Sequence, residues 1–194
     1  DRPGALFWDQ VQRESPADCY SDIGYATVST NPCAEIPLSS YDSCRLMVIN
    51  LYSFVEHPFT DSSKFNYQQF SLICMKAQRL MDDLIDLEEE SVDKIILKIK
   101  EDPENSEIKK IEIDLWNKIK KATLDGRRTG LGITGLGDTL AALGNRYGDD
   151  KSINTTEEIY KTLALSAYES SVNLAIERGS FPIYDPKREE AHPY

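Results

Sequence analysis

Several things are missing from this 194-residue chain, and each absence removes a class of function. No apolar run approaches the length of a membrane span, and no signal peptide opens the sequence. Positive charge is short: 22 Lys and Arg face 33 Asp and Glu, a formal charge of −11. Nucleic-acid and anionic-membrane surfaces need a basic stripe, so the sequence predicts neither partner. There is no Cys-x-x-Cys, and the two histidines, His57 and His192, lie far from any cysteine pair. No zinc-type spacing results, and no metal site is expected. The four cysteines at 19, 33, 44 and 74, with no export signal, read as reduced thiols of a cytoplasmic protein.

What remains is an ordinary globular composition, 40% hydrophobic and 9% aromatic, of a size that suits one domain or a piece of a larger one. The chain opens at Asp1 without Met, and "DRPGALFWDQVQRE" reads like the interior of a domain. The expectation is a segment excised from a longer polypeptide.

Along the chain, a short helix is expected through Phe7, Trp8 and Val11. "GYATVST" reads as a short strand running into Pro32. "CRLMVINLYSFV", residues 44–55, is the most apolar stretch and suits a buried strand or a buried helix. Pro58 closes it, and "HPFTDSSKFN" reads as a connecting loop. From Tyr67, Phe70, Ile73, Ala77, Leu80, Leu84 and Leu87 fall at steps of three and four, predicting a helix with one apolar stripe. Two charged amphipathic arms then flank "EDPENS". Pro103 cannot sit inside a helix, so residues 88–124 read as a helical hairpin, a solvated insertion, with Gly126 as its C′ residue. A last helix is expected from near Thr155, with Thr155 and Glu158 as a capping box and Gly179 as its end. "SFPIYD" suits a strand. Short strands between long helices favour an α/β architecture.

Two constellations could carry chemistry. Gly130, Gly132 and Gly135 spell G-x-G-x-x-G, but no hydrophobic strand precedes them, and close backbone packing is the favoured account. The alternative is a non-catalytic acidic nucleotide-binding module using this Gly130–Gly135 loop. The second is "TVSTNPCAEIPLSSYDSC", residues 27–44. Pro32 pushes Asn31 towards extended backbone, in which Asn31, Cys33 and Glu35 share one face. A carboxylate beside a thiol disfavours the thiolate. This suits a thiol that stays protonated and gives up a hydrogen atom; the plainer reading is a cysteine packed as a small hydrophobe.

"STNPCAEIPL" resembles the active-site finger loop of the ribonucleotide reductase catalytic subunit, whose family pattern is N-P-C-G-E; Ala34 stands where glycine is usual. "DSC" with "INL", "MDDLIDL" and "GRRTGLGITGLGDTLAALG" follow in the family's order. The resemblance implies part of a ten-stranded α/β barrel over residues 1–194, with the finger loop and a redox cysteine at 27–44 and the hairpin inserted at 88–124. It implies radical reduction of ribonucleotides to deoxyribonucleotides. Cys33 matches the cysteine that becomes a thiyl radical and abstracts the ribose 3′ hydrogen. Glu35 matches the general base on the 3′-hydroxyl, and Asn31 the amide that hydrogen-bonds substrate. Cys44 matches the downstream member of the redox pair, whose upstream partner would precede residue 1. Cys19 and Cys74 match no catalytic position. The eleven-residue step from Cys33 to Cys44 resembles the adenosylcobalamin-dependent class, the alternative being a di-metal radical subunit. The implied partners are a ribonucleoside di- or triphosphate, the rest of the polypeptide, a thioredoxin- or glutaredoxin-type reductant and, in the parent, a second copy.

Overall fold

Helix α1 (Trp8–Glu14) is the first element of the computed structural model, which describes residues 4–43 and 45–192. A 3-10 helix (Pro16–Ile23) and two short strands, β1 (Ser29–Thr30) and β2 (Pro37–Leu38), follow. Next come β3 (Leu46–Asn50), a 3-10 turn (Leu51–Phe54), β4 (Val55–Glu56) and β5 (Lys64–Phe65). Helices α2 (Tyr67–Glu101) and α3 (Ser106–Gly126) precede β6 (Gly130–Thr134), and α4 (Leu136–Ala142), α5 (Asp150–Arg178) and α6 (Pro186–Ala191) complete the order. Contacts divide the chain into two units: the described parts of 1–44, 85–128 and 181–194, and residues 45–84 with 129–180.

The second unit is built on a parallel strand pair. β3 and β6 run in register from Leu46↔Gly130 to Asn50↔Thr134. Alternation along β3 turns Ile49 inward, 8% exposed, and leaves Leu46 and Val48 outside. Parallel strands cannot be joined by a tight turn, so helices occupy the connection. After β3 the chain turns through Leu51–Phe54, whose Phe54 packs on Phe70 at a ring-centroid distance of 5.1 Å. Phe65 lies 5.4 Å from Phe70, and these rings join Leu51, Cys74, Ala77, Ile159 and Leu163 in the core. Asn66 caps α2 by accepting from the Gln69 amide at 2.9 Å. Ser166 Oγ donates to Ser71 Oγ at 2.8 Å and Ser170 Oγ to the Met75 carbonyl at 2.9 Å, both across 95 residues. The constant offset means α5 and the first part of α2 run parallel.

In the first unit β1 and β2 form an antiparallel hairpin, Ser29↔Leu38 and Thr30↔Pro37. The end of α2 and α3 are antiparallel: Lys120 Nζ meets Asp93 at 2.7 Å, and Lys109 Nζ donates to the Lys100 carbonyl at 2.9 Å. Four residues, 102–105, join them, with Asn105 capping α3 through the Glu107 amide. The loop after residue 180 returns to α3 through an Ile183 amide bond to the Asp125 carbonyl, and Tyr20 stacks edge-on against Phe181.

Several expectations change. Residues 180–185 form no strand: their ladder partner is missing among the described residues, and Tyr184 bonds back to Phe181 as a turn. The expected strand at 24–30 shrinks to Ser29–Thr30, since Thr27 is instead held by Asp18, whose Oδ1 accepts from its amide at 2.9 Å. α5 starts at Asp150, because Asp149 caps the Ser152 amide at 2.7 Å; Thr155 bonds to the Lys151 carbonyl inside the helix. Gly126 is the last helical residue of α3, and Arg127 takes the left-handed cap at φ 42°. Along α2 the buried line runs through Phe70, Cys74, Ala77, Met81 and Ile85, leaving Leu80, Leu84 and Leu87 exposed. Among the described residues, no helix is long and apolar enough to cross a membrane.

Candidate active site

The β1–β2 hairpin presents Asn31, Cys33 and Glu35 in its six-residue connection, 31–36. Pro32 was expected to hold this segment extended. Instead the Ala34 amide donates to the Asn31 carbonyl at 2.9 Å, closing a tight turn around Pro32 and Cys33. Ala34 then takes φ 66°, the left-handed region. Strand alternation therefore does not set Asn31, Cys33 and Glu35 on one face, because the backbone reverses among them. All three lie in one closed loop.

Asn31 is the closure. Its amide donates to the Ile36 carbonyl at 3.2 Å, and its Oδ1 accepts from the Ile36 amide at 3.0 Å. The side chain thus satisfies a backbone donor that the hairpin ladder cannot reach. Cys33 is a free thiol and is exposed, as is Glu35; Asn31 is half-buried. Cys44 lies outside the described residues.

The other two thiols sit differently. Cys74 is fully buried in the core, and burial pushes its thiol up to about 11. Cys19 is half-buried; burial and the nearby Glu189 carboxylate raise it too, against smaller opposing effects from Tyr20 and Arg188. Neither site favours a thiolate. Among the described residues no group of three or more His, Cys, Asp or Glu could hold a metal ion.

The glycine triplet is not a phosphate loop. Gly130 and Gly132 lie inside β6, paired with Leu46 and Val48, and the Gly130 amide is bonded to the Arg45 carbonyl at 2.9 Å. A cradle needs free amides in a loop after a strand, and here only Gly135 lies beyond the ladder. Gly135 has φ 75°, and a Cβ there would meet Asn50 Oδ1 at 2.7 Å, the close approach expected of it.

Two side chains with no role in the sequence reading hold the hairpin base. Arg128 Nη1 donates to the Pro37 carbonyl at 2.9 Å and pairs with Asp42 Oδ2 at 3.1 Å. Asp42 Oδ1 accepts from the Ser43 amide at 2.8 Å. Both line a cavity of about 170 Å³ whose other walls include Tyr20, Tyr25, Phe181 and Ile183. In sequence they lay within the matched segments "DSC" and "GRRTG", which gave neither a role.

Comparison with known proteins agrees with the motif. Residues 2–192 match the family model described as the ribonucleotide reductase barrel domain. The chain is 30% identical over 182 residues to a vitamin B12-dependent ribonucleoside-diphosphate reductase of Thermoplasma acidophilum, covering 94% of this chain and 20% of that protein. It is 29% identical over 186 residues to a protein of the same description from Mycobacterium tuberculosis, covering 96% of this chain and 22% of that protein. A ribonucleoside-diphosphate reductase large subunit of African swine fever virus is 23% identical over 185 residues, 92% of this chain and 20% of that protein. The chain thus spans about a fifth of the length of the curated relatives it matches. It belongs to the ribonucleotide reductase barrel-domain family.

Proposed function

We propose that this chain is a segment of a ribonucleotide reductase catalytic subunit that reduces ribonucleotides to deoxyribonucleotides by radical chemistry. The observation that carries the reading is the exposed, free Cys33 thiol in a hairpin loop closed by Asn31, with Glu35 two residues on. Residues 27–44 are the finger loop of a ten-stranded α/β barrel, and residues 88–124 are a helical insertion in it. The parallel β3–β6 pair supports a barrel contribution, since its ladder is parallel and helices follow both strands.

Cys33 gives up its hydrogen atom to become a thiyl radical, takes the ribose 3′ hydrogen, and later returns one. Glu35 accepts the 3′-hydroxyl proton as general base. Asn31 has its Oδ1 committed to Ile36, so its Nδ2 is the group that donates to substrate. Cys44 and an upstream cysteine supply the two electrons and protons that replace the 2′-hydroxyl, which leaves as water, and they end as a disulfide. A thioredoxin- or glutaredoxin-type dithiol restores them.

Adenosylcobalamin is the cofactor favoured by the eleven-residue step and by the similarity to the vitamin B12-dependent reductases of Thermoplasma acidophilum and Mycobacterium tuberculosis. When bound it supplies the initiating radical. The exposed Cys33 thiol fits as its acceptor.

The test is deoxynucleotide formation by the whole polypeptide, given ribonucleoside di- or triphosphate, adenosylcobalamin and a dithiol. Cys33→Ser is expected to abolish it, and turnover that survives this change rejects the reading. The 194-residue chain by itself is expected to give no product under the same conditions.

A further inference from the structure

We propose that Arg128 is a positioning residue for the Cys33 loop, clamping the hairpin to the segment that leads towards Cys44. The proposal rests on the role given above to Cys33.

The chain reaches this position by a sharp exit from a helix. α3 ends at Gly126, Arg127 takes the left-handed conformation, and Arg127 Nη1 is anchored to Asp86 at 2.9 Å. Arg128 is thereby delivered to the hairpin from 91 residues away in sequence. Its Nη1 donates to the carbonyl of Pro37, the β2 residue paired with Thr30 and four residues beyond Cys33. The same nitrogen pairs with Asp42, which precedes Cys44 by two residues and bonds the Ser43 amide.

Burial makes this contact matter. The Asp42 side chain is 5% exposed and that of Arg128 19%, so removing the cation strands a carboxylate away from water. Asp18 anchors the hairpin's first strand through Thr27, but the hairpin's own ladder has two residue pairs and, among the described residues, the Val28, Asn31 and Ala34 backbone amides bond within it. A two-strand ribbon of this size is not stable alone. A lysine would keep the charge but not the planar fork that meets a carbonyl and a carboxylate together. Arg128 bonds to the strand that carries the reactive loop, and so acts through placement.

The experiment uses the whole polypeptide with Arg128→Met, Arg128→Lys and Asp42→Asn. Arg128→Met is expected to speed hydrogen exchange at the Val28 and Asn31 amides, which bond to Leu38 and Ile36, while the β6 amides keep their protection. It is also expected to lower kcat by about 10- to 100-fold, the scale of a displacement of about 1 Å, with KM for ribonucleotide unchanged. Arg128→Lys should recover part of both effects. Asp42→Asn combined with Arg128→Met should cost less than the sum of the two. Unchanged exchange in the hairpin, a loosened hairpin with full kcat, or a loss confined to KM each overturns the proposal. If the unaltered polypeptide forms no deoxynucleotide, the role of Cys33 falls and positioning for catalysis falls with it; hairpin exchange still shows whether the clamp exists.

Discussion

Asn50 and Gly135 interlock at the ends of the two parallel strands: Asn50 Oδ1 caps the Tyr52 amide at 3.1 Å and occupies the space a Cβ on Gly135 would need. Gly135 also has φ 75°. Gly135→Ala therefore meets two penalties, about 1–2 kcal/mol for the left-handed backbone and about 1 kcal/mol if the Asn50 cap is displaced. A fall of about 2–3 kcal/mol is expected in urea titration. In an Asn50→Ala background the same change should cost only the backbone part.

Ala34 occupies a conformation that glycine adopts freely, at φ 66°. Ala34→Gly relieves strain of about 1–2 kcal/mol but gives the unfolded chain about 0.4–1 kcal/mol more entropy. A net gain of roughly 0.5–1 kcal/mol is expected as a higher denaturation midpoint, and Ala34→Val should lower it.

Burial raises the Cys74 thiol from the ordinary 9.0 to about 11, so the folded state holds this proton more tightly than the unfolded state does. The resulting stability is fully present below pH 9 and is lost as pH rises through 9 to 11. Stability measured across that window should decline, and Cys74→Ala should flatten this part of the decline. In native protein at pH 8, a thiol reagent should modify the exposed Cys33 well before the fully buried Cys74, which should react only on unfolding.

Ser166 and Ser170 set the α2–α5 contact through bonds to Ser71 and Met75, and both are buried. Ser170→Ala loses one hydrogen bond, about 0.5–1.5 kcal/mol. Ser170→Leu forces the helices apart and should cost about 1–3 kcal/mol more. Thermal unfolding of the two variants separates these outcomes.

Local chemistry made much of this chain legible. Pro103 required a break between charged helices, Gly179 closed the last long helix, and Asn31, Cys33 and Glu35 stood in a pattern specific enough to name the family. These signals act over a few residues, so they survive without tertiary context. The register of α2 did not: Leu80, Leu84 and Leu87 satisfy the helical period as well as Met81 and Ile85 do, and only the packed neighbours decide which line is buried. Proline at 32 favours extended backbone as strongly in a turn as in a strand, and the Asn31 bonds to Ile36 chose the turn. The start of α5 went to the aspartate whose side chain reaches an amide, and residues 180–185 lacked the partner a strand needs. Sequence determined which family the chain belongs to and where the charged helices break. Tertiary structure decided how the Cys33 loop is closed, and that Arg128, remote in sequence, meets the Pro37 carbonyl of its hairpin, because such contacts depend on distances that no local propensity encodes.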